Sequence, residues 1–305
     1  MQKIFSIKDD FVNSRLDRWF RRNVCEVPQS LIEKNLRKGN IKVNNKKRKS
    51  SYKLQKGDQI SLYKVNFKGN AHKKKQFEYL PNKTDLYKSS NMFIENNDDF
   101  AVLNKPAGVA VQAGTKTKKN IIDILKQTKE FKDSYPYVVH RIDKETTGIL
   151  IVAKNRKFAQ LFTSLFRIRK IHKTYLGIVL GELKNKKGIL RDELFDYLGE
   201  KKVKSIAITH YNILDTNKKY SLIKLNPVTG RKHQLRKQLL IHGCPILGDS
   251  KYRISEYISK KKDRLMLHAF KINFSINDKK YNYSAELPED FKKMLKQKYL
   301  KTFYL

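Results

Sequence analysis

Residues 138–153 read VVHRIDKETTGILIVA, a loop of charged and hydroxyl residues that leads directly into an apolar segment. Apolar residues also precede the loop, so the pattern predicts a surface loop held between two buried strands. Loops that a rigid scaffold holds in this way often carry reactive groups. Asp143 is the candidate nucleophile or base of the loop. The other interpretation is a turn or capping acid, and the local pattern alone favours it.

Apolar runs recur on both sides of this loop from residue 93 onward. They include FAVLNKP, TYLGIVLGEL, SIAITHYNIL and YSLIKLNP, and they read as strands. Helical periodicity predicts helices at 119–128, 155–168 and 230–242. So many strands with few helices predict an α+β domain around a mainly antiparallel sheet.

Two further polar segments stand between predicted strands. The segment RKIHKTY at 169–175 places Tyr175 at a strand start, where its ring either stacks on a base or packs in the core. The segment TGRKHQLR at 229–236 turns from a strand into a helix. Arg231 and His233 stand near the helix start, where phosphate binds well, and Arg236 lies about one turn along.

Residues 1–75 form a second, more basic module with a net charge of +15. Ser14 is predicted to cap a first helix, Pro28 opens a second, and Gly39 ends it as a left-handed C-cap. Short strands are predicted at 41–43, 51–54 and 59–63. Basic residues gather on the second helix and the following turn, a predicted phosphate-binding face: Lys34, Arg37, Lys38, Lys42, Lys46, Lys47, Arg48 and Lys49. The alternative is a small solvated α/β domain without a function of its own.

Composition narrows the class of partner. The 305 residues carry a formal charge of +38, which favours a polyanion such as RNA or DNA. Because 52 of the 67 basic residues are Lys, part of the excess also fits a compositional bias. Residues 66–92 are rich in Lys and Asn without periodicity, which predicts a basic linker.

The sequence also argues against several classes of protein. The apolar runs are far shorter than the ~20 residues that span a bilayer, so we expect no membrane segment. Cys25 and Cys244 form no C-x-x-C pair, and the seven histidines are scattered. We therefore expect no disulfide framework, no metal and a cytoplasmic protein.

Ordered motifs in both modules resemble known families. SRLDRWF, LRKGNIKVNN and KLQKGDQI, over residues 14–64, resemble the S4 RNA-binding domain. Over residues 93–288 the chain resembles the RluA-type family of pseudouridine synthases, through five segments in order: NKPAGVAV, HRIDKETTGILIVAKN, KTYLGIVLGE, TGRKHQLR with HGCPILGD, and RLMLHA. Five ordered segments behind an S4-like module are far more specific than any single motif.

The resemblance implies a small S4-like α/β RNA-binding domain at 1–65, a basic linker at 66–92 and a catalytic domain with a mainly antiparallel mixed sheet at 93–305. It implies an isomerase that converts specific uridines of 23S, large-subunit ribosomal RNA to pseudouridine. Neither a cofactor nor an obligate protein partner is implied. A non-enzymatic ribosome-assembly factor, or the same chemistry on another RNA such as tRNA, is the alternative. A glycoside hydrolase is disfavoured because no second carboxylate stands in a paired segment.

The resemblance also implies roles for individual residues. Asp143 corresponds to the essential catalytic carboxylate, Tyr175 to the aromatic residue against the target base, and Arg236 to the salt-bridge partner of Asp143. Arg141 resembles the residue that helps the nucleotide leave its stack and holds its phosphate, and His140 beside it is a predicted RNA contact.

Three positions depart from the family pattern. Lys232, Lys237 and Gln238 stand where a Thr, an apolar residue and a His are usual. Because they lie beside the predicted active residues, we expect them to bear on which uridine is chosen.

Overall fold

The computed structural model describes residues 3–7, 11–25, 27–63, 79–82, 84–86, 91–114, 117–198, 201–254 and 263–301. The chain divides into two units, Met1–Phe77 and Glu78–Leu305. Each unit has a hydrophobic core of its own. Trp19, the single tryptophan of the chain, lies in the core of the first unit.

The first unit packs two helices on a small antiparallel sheet. Its strands are β1 (Lys3–Ser6), β2 (Ile41–Val43) and β3 (Gln59–Leu62), in the order β1-β3-β2. Its helices are α1 (Leu16–Asn23) and α2 (Gln29–Lys38). Gly39 follows α2 with a φ of 76°, which confirms the predicted left-handed C-cap.

Two local predictions for this unit are wrong. Residues 51–54 form no strand, because β3 already pairs with β1 and β2 on its two edges. Their carbonyls instead accept hydrogen bonds at the start of α1, where the N–H of Leu16 donates to Tyr52 at 2.8 Å. Ser14 does not cap α1, since its hydroxyl donates to the carbonyl of Phe11. The carbonyls of Ser50 and Tyr52 thus accept the N–H groups at the start of α1 that a capping side chain was expected to bind.

The described residues of the second unit form a ten-stranded sheet. Its main path runs β4-β5-β7-β12-β8-β11-β10-β9, while β13 pairs with β12 and β6 with β7. The strands are β4 (Phe93–Asn96), β5 (Phe100–Lys105), β6 (Tyr137–Val138), β7 (Thr147–Ala153), β8 (His172–Leu180), β9 (Lys187–Leu198), β10 (Lys201–Thr216), β11 (Tyr220–Pro227), β12 (Leu267–Ile276) and β13 (Lys279–Ser284). Only β7 and β12 pair in parallel among these strands, which confirms the mainly antiparallel sheet.

Four helices of five or more residues lie in the described part of this unit, and a short 3-10 turn spans Lys129–Phe131. They are α3 (Ile121–Leu125), α4 (Arg156–Arg167), α5 (Gln234–Ile241) and α6 (Glu289–Gln297). Asn155 caps α4 by accepting the N–H of Phe158. Phe162 of α4 is fully buried beside Phe100, and Leu239 of α5 is buried in a separate cluster. Ile149 and Ile151 of β7 share a cluster with Phe162 of α4, whereas Leu150 and Val152 share another with the apolar residues of α3. Both faces of β7 are therefore covered, which explains its continuous apolar sequence.

One row of residues across the sheet brings the polar segments together. Ala269 of β12 pairs with Gly148 at the start of β7 and with Tyr175 of β8. Neighbouring strands lie about 4.8 Å apart, so the loop before β7 ends close to Tyr175. Gly148 has a φ of 103°, and a Cβ there would lie 2.2 Å from the Ala269 carbonyl oxygen. Only glycine allows the two strands to approach this closely.

The predicted linker at 66–92 belongs in part to the second unit. Residues 64–78, 83 and 87–90 lie outside the described residues. The N–H of Tyr79 donates to Asp123 at 3.0 Å, and its hydroxyl donates to Asp85 at 2.5 Å. Asp85 also pairs with Lys119, and Met92 is buried in the core. The end of the predicted linker is therefore bound to the second unit rather than acting as a free spacer.

Among the described residues, no helix is both long enough and apolar enough to cross a membrane.

Candidate active site

A cavity of about 570 Å³ opens where the three polar segments meet. Asp143 lines it from the loop before β7, Tyr175 from β8, and Arg236 from α5. The sequence separates these residues by 32 to 93 positions, and the central strands of the sheet bring them to one place. All three predicted catalytic residues therefore share one cavity.

Asp143 is held by a cation from α5. Its Oδ2 accepts a hydrogen bond from Nη1 of Arg236 at 3.1 Å, as the resemblance implied. About a quarter of the Asp143 side chain is exposed, which leaves the carboxylate open to the cavity, whereas the Arg236 side chain is 8% exposed. The guanidinium thus fixes one oxygen of Asp143 and leaves the other side of the carboxylate facing the cavity.

The stronger partner of Arg236 is Asp249, to which the sequence had given no role. Nε of Arg236 donates to Asp249 at 2.6 Å and Nη2 donates at 2.8 Å, a bidentate pair. The Asp249 side chain is fully buried and also accepts the N–H groups of Lys251 and Tyr252. The signal for Asp249 lay in HGCPILGD: Gly248 has a φ of 76°, and a Cβ there would lie 2.0 Å from the Arg264 carbonyl oxygen. This tight turn places the carboxylate of Asp249 against the guanidinium of Arg236.

The charges of this cluster stabilise one another. Burial alone would lower the pKa of Arg236, but the hydrogen bonds and charges of Asp249 and Asp143 raise it above its ordinary value. Burial alone would raise the pKa of Asp249, yet Arg236 and the two backbone N–H groups hold it below its ordinary value. Both groups stay ionised, and Arg236 is fixed in orientation when it meets Asp143.

His233 and Tyr252 complete the surroundings of Asp143. Nε2 of His233 lies 3.8 Å from Oδ1 of Asp143, and its Nδ1 lies 2.9 Å from the Tyr252 hydroxyl. Burial lowers the pKa of His233, which the negative charge of Asp143 partly opposes. The guanidinium of Arg236 stacks 5.0 Å from the Tyr252 ring centre. His233 was predicted to meet phosphate, whereas its ring lies against the carboxylate and Tyr252.

Tyr175 is half-buried on the cavity wall. Its hydroxyl has no hydrogen-bond partner among the described residues. Burial raises the pKa of Tyr175, and the charge of Asp143 raises it further. The phenol therefore stays neutral, which suits a stacking surface.

A buried lysine anchors the loop that carries Asp143. Lys105 is fully buried, and its Nζ donates to the carbonyls of Pro106, Val109 and Lys144 at 2.7, 2.9 and 3.0 Å. Burial lowers the pKa of Lys105 to about 7, while three carbonyls match the three hydrogens of an ammonium group. Lys144 follows Asp143 directly, so its contact with Lys105 holds the backbone next to the Asp143 carboxylate in position.

His140 has a structural role. Its Nε2 accepts the N–H of Ile151 at 2.8 Å, and its ring stacks on Phe166 with centroids 4.6 Å apart. Burial lowers the pKa of His140 to about 3, and the nearby positive charge of Lys173 contributes. His140 thus ties the loop to β7 as a neutral residue, and since it also lines the cavity, its contact with RNA stays a prediction.

Two predicted RNA contacts lie at the cavity with exposed side chains. Arg141 and Arg231 both line it. Nε of Arg231 donates to the carbonyl of Ile206 at 3.1 Å. Helix α5 begins at Gln234, so Arg231 precedes the helix instead of opening it, and its guanidinium extends along β10.

The predicted face of the first unit is exposed over most of its residues. Lys42 is half-buried and lies over the Tyr63 ring at 5.1 Å, and Arg48 lies over the Tyr52 ring at 4.7 Å. The remaining members are exposed on α2 and the turn after β2: Lys34, Arg37, Lys38, Lys46, Lys47 and Lys49.

Two of the three positions that depart from the family pattern tie α5 to the β9–β10 hairpin. Lys237 donates to Asp196 at 2.8 Å. Gln238 is fully buried and donates to Asp192 at 2.7 Å while accepting from Thr209 at 2.6 Å. Lys232 is exposed. The helix that carries Arg236 is thus attached to the edge of the sheet through polar contacts.

The described residues contain no group of three or more His, Cys, Asp or Glu side chains placed to hold a metal ion.

Comparison with known proteins identifies relatives of this chain. A model of the family described as RNA pseudouridylate synthase matches residues 99–240, which include Asp143, Tyr175 and Arg236. The protein named ribosomal large subunit pseudouridine synthase C of Buchnera aphidicola subsp. Baizongia pistaciae (strain Bp) is 31% identical, over 95% of this chain and 96% of that protein. The protein of the same name from Rickettsia felis (strain ATCC VR-1525 / URRWXCal2) is 34% identical, over 91% and 94%.

Solved structures show the same fold. Human RNA Pseudouridylate Synthase Domain Containing 4 superposes with a TM-score of 0.62 at 25% identity, over 71% of this chain and 96% of that one. Human RNA Pseudouridylate Synthase Domain Containing 1 gives a TM-score of 0.56 at 22% identity, over 65% and 83%. Together with the relatives above, these structures confirm the resemblance to pseudouridine synthases.

Proposed function

Because this chain belongs to the RNA pseudouridylate synthase family, we propose that it isomerises specific uridines of large-subunit ribosomal RNA to pseudouridine. The observation that carries the proposal is the carboxylate of Asp143, 3.1 Å from Arg236, in a cavity that Tyr175 also lines. Relatives that match almost the whole chain are named for the large ribosomal subunit, which supports the substrate. We propose the cytoplasm as the compartment.

The reaction breaks the N1–C1′ bond of uridine, turns the uracil and joins its C5 to C1′. Substrate and product are isomers, so the balance needs neither an oxidant nor an energy source. The ionised carboxylate of Asp143 attacks C1′ or stabilises the positive charge that develops on it. Arg236 orients that carboxylate through its hydrogen bond, and Asp249 keeps Arg236 in place.

The detached uracil must remain in the cavity while it turns. The neutral ring of Tyr175 offers a stacking surface for one face of the base. The target nucleotide has to leave its stack in folded RNA, which costs a few kcal/mol. The exposed guanidinium of Arg141, at the cavity, is placed to hold its phosphate and fill the gap.

We infer that the first unit is an S4-like RNA-binding module that raises the local concentration of RNA at the cavity. Its exposed lysines on α2 and the following turn support this role. Replacing Lys34, Lys38 and Lys46 by Gln should weaken RNA binding and reduce the salt slope by about 2 to 3. Replacing exposed Lys280, Lys293 and Lys296 of the second unit is the matched control. Equal slopes for both triple variants would refute the assignment.

Mapping of pseudouridine tests the proposed reaction in cells. Carbodiimide-dependent primer extension on large-subunit RNA should show stops that disappear when the protein is removed and return with the wild-type chain. Identical maps with and without the protein would overturn the function.

A further inference from the structure

Lys173 differs from the other cations at the cavity. Among the lining residues that the structure describes, four arginines are exposed to water: Arg141, Arg167, Arg169 and Arg231. Arg236 and His233 lie against Asp143. Lys173 is half-buried, and its ammonium has no hydrogen-bond acceptor or carboxylate partner among the described residues. Among the described residues, Lys173 is thus the partly buried cation of the cavity whose charge no protein group neutralises.

The fold directs Lys173 towards the reacting base. It precedes Tyr175 by two residues on β8, and side chains two apart on a strand point to the same face. Both residues line the cavity. The carbonyl of Lys173 accepts from Asn226 of β11, which ties its backbone into the sheet. The side chain therefore starts from a rigid strand, about 7 Å along it from the residue proposed to stack on uracil.

Partial burial makes the charged form of an ammonium group less favourable than it is in water, unless a partner compensates. Burial lowers the pKa of Lys173, and no neighbouring charge opposes that effect. Such a group is expected where a ligand supplies the missing negative charge. In the proposed reaction, negative charge appears on the uracil itself when the N1–C1′ bond breaks, because the bonding pair leaves with the base.

We propose that Lys173 is a further catalytic residue, whose ammonium donates a hydrogen bond to a carbonyl oxygen of the target uracil and stabilises the negative charge of the detached base. This inference rests on the proposed function. Lys173 keeps its proton throughout. The pair from N1–C1′ moves onto uracil, C5 then bonds to C1′, and the C5 proton leaves to water while N1 gains a proton. The contribution of Lys173 is electrostatic, in the manner of an oxyanion-binding donor.

The variant Lys173→Met tests this role, with Lys170→Met as control. Met keeps the unbranched shape of the side chain, one atom shorter, and removes the charge. Exposed Lys170 precedes Lys173 by three residues but does not line the cavity. Single-turnover release of tritium from C5-labelled uridine should fall about 100- to 1,000-fold in Lys173→Met and stay within threefold in Lys170→Met. RNA affinity should stay within threefold in both. A rate within threefold of wild type, or a loss of affinity at unchanged rate as for a phosphate contact, would overturn the proposal.

Thermal unfolding gives an independent readout. Because Lys173→Met removes an unpaired cation, its melting temperature should equal or exceed that of the wild type. If Lys173→Met and Lys173→Gln both melted at a lower temperature than the wild type, the ammonium group would have a structural partner, contrary to the proposal.

Sulfur substitution in the substrate identifies the contact. Replacing O2 or O4 of the target uridine by sulfur weakens it as a hydrogen-bond acceptor. One of the two substitutions should slow the wild type and leave Lys173→Met unaffected, since the donor is already gone. Equal slowing of both proteins at both positions would refute the contact. If the wild type releases no tritium from any ribosomal RNA, the proposed function is wrong. If the wild type is active and Lys173→Met releases tritium at the same rate, the proposed function stands and only the role of Lys173 is refuted.

Discussion

Asp249→Asn provides a direct test of how the cluster around Asp143 is held together. The carboxylate of Asp249 accepts four hydrogen bonds, two from Arg236 and two from backbone N–H groups, and it is fully buried. An amide cannot carry the negative charge, and it replaces one acceptor oxygen by a donor. Breaking one side of a buried ion pair destabilises a protein by about 3–5 kcal/mol. Arg236 would also turn towards Asp143, and displacement of a catalytic group by about 1 Å lowers turnover about 100-fold.

Urea unfolding separates this effect from any change in the first unit. With a slope of about 2 kcal/mol per M, the far-UV circular dichroism transition of the second unit should move down by about 2 M. Fluorescence of Trp19 reports on the first unit and should keep its midpoint. Asp290→Asn is the matched control, since Asp290 forms a bidentate pair with Arg264 but is half exposed. That pair is expected to contribute about 1 kcal/mol or less. Equal effects of the two substitutions on stability, or full activity of Asp249→Asn, would refute the reasoning.

Three further predictions follow from other features of the second unit. Gly148→Ala should lower the free energy of unfolding by about 3 kcal/mol or more, because the added Cβ clashes with the neighbouring strand. Gly108→Ala is the control: Gly108 has a φ of 79° and open space around it, so the free energy of unfolding should fall by only about 1 kcal/mol. Similar losses for both variants in urea titrations would show that the close approach of the two strands does not require glycine. Burial lowers the pKa values of His140 and His268 to about 3 and about 4. Below about pH 6.5 these two histidines are therefore protonated in the unfolded chain but remain neutral in the folded chain. Stability measured by urea unfolding should therefore fall by about 1.4 kcal/mol per pH unit for each histidine between pH 6.5 and 4, and a flat profile would count against it. Lys105→Met leaves three carbonyls without their donor, so single-turnover rates should drop while RNA affinity, measured by filter binding, stays within threefold; an unchanged rate would show that the loop needs no anchor.

The sequence predicted the features that depend on local pattern. Alternating apolar segments predicted the mainly antiparallel sheet, and the polar segments between them predicted which loops carry Asp143 and Arg236. The contact between these two residues followed from family resemblance, since 93 positions separate them along the chain. Gly39 also behaved as its local signal indicated, because a left-handed C-cap depends only on the backbone at that point.

Features that depend on distant packing could not be predicted in this way. Asp249 lies 13 positions after Arg236, beyond the reach of helical or strand periodicity, and a tight turn brings the two together. No local pattern indicated that Nε2 of His140 accepts a backbone N–H from β7, since that contact depends on how the loop packs against the strand. Ser14 is a residue type that often caps helices, but the carbonyls of Ser50 and Tyr52, 36 or more residues further along the chain, accept the N–H groups at the start of α1.

Asp143→Asn provides the most direct test of the central claim, that the carboxylate of Asp143 performs the isomerisation. Its side chain is partly exposed and Asp249 still neutralises Arg236, so the variant should fold and bind RNA within threefold of the wild type. Tritium release from C5-labelled uridine in large-subunit RNA should be readily measured for the wild type and absent for Asp143→Asn. Release by Asp143→Asn at the wild-type rate would contradict the account.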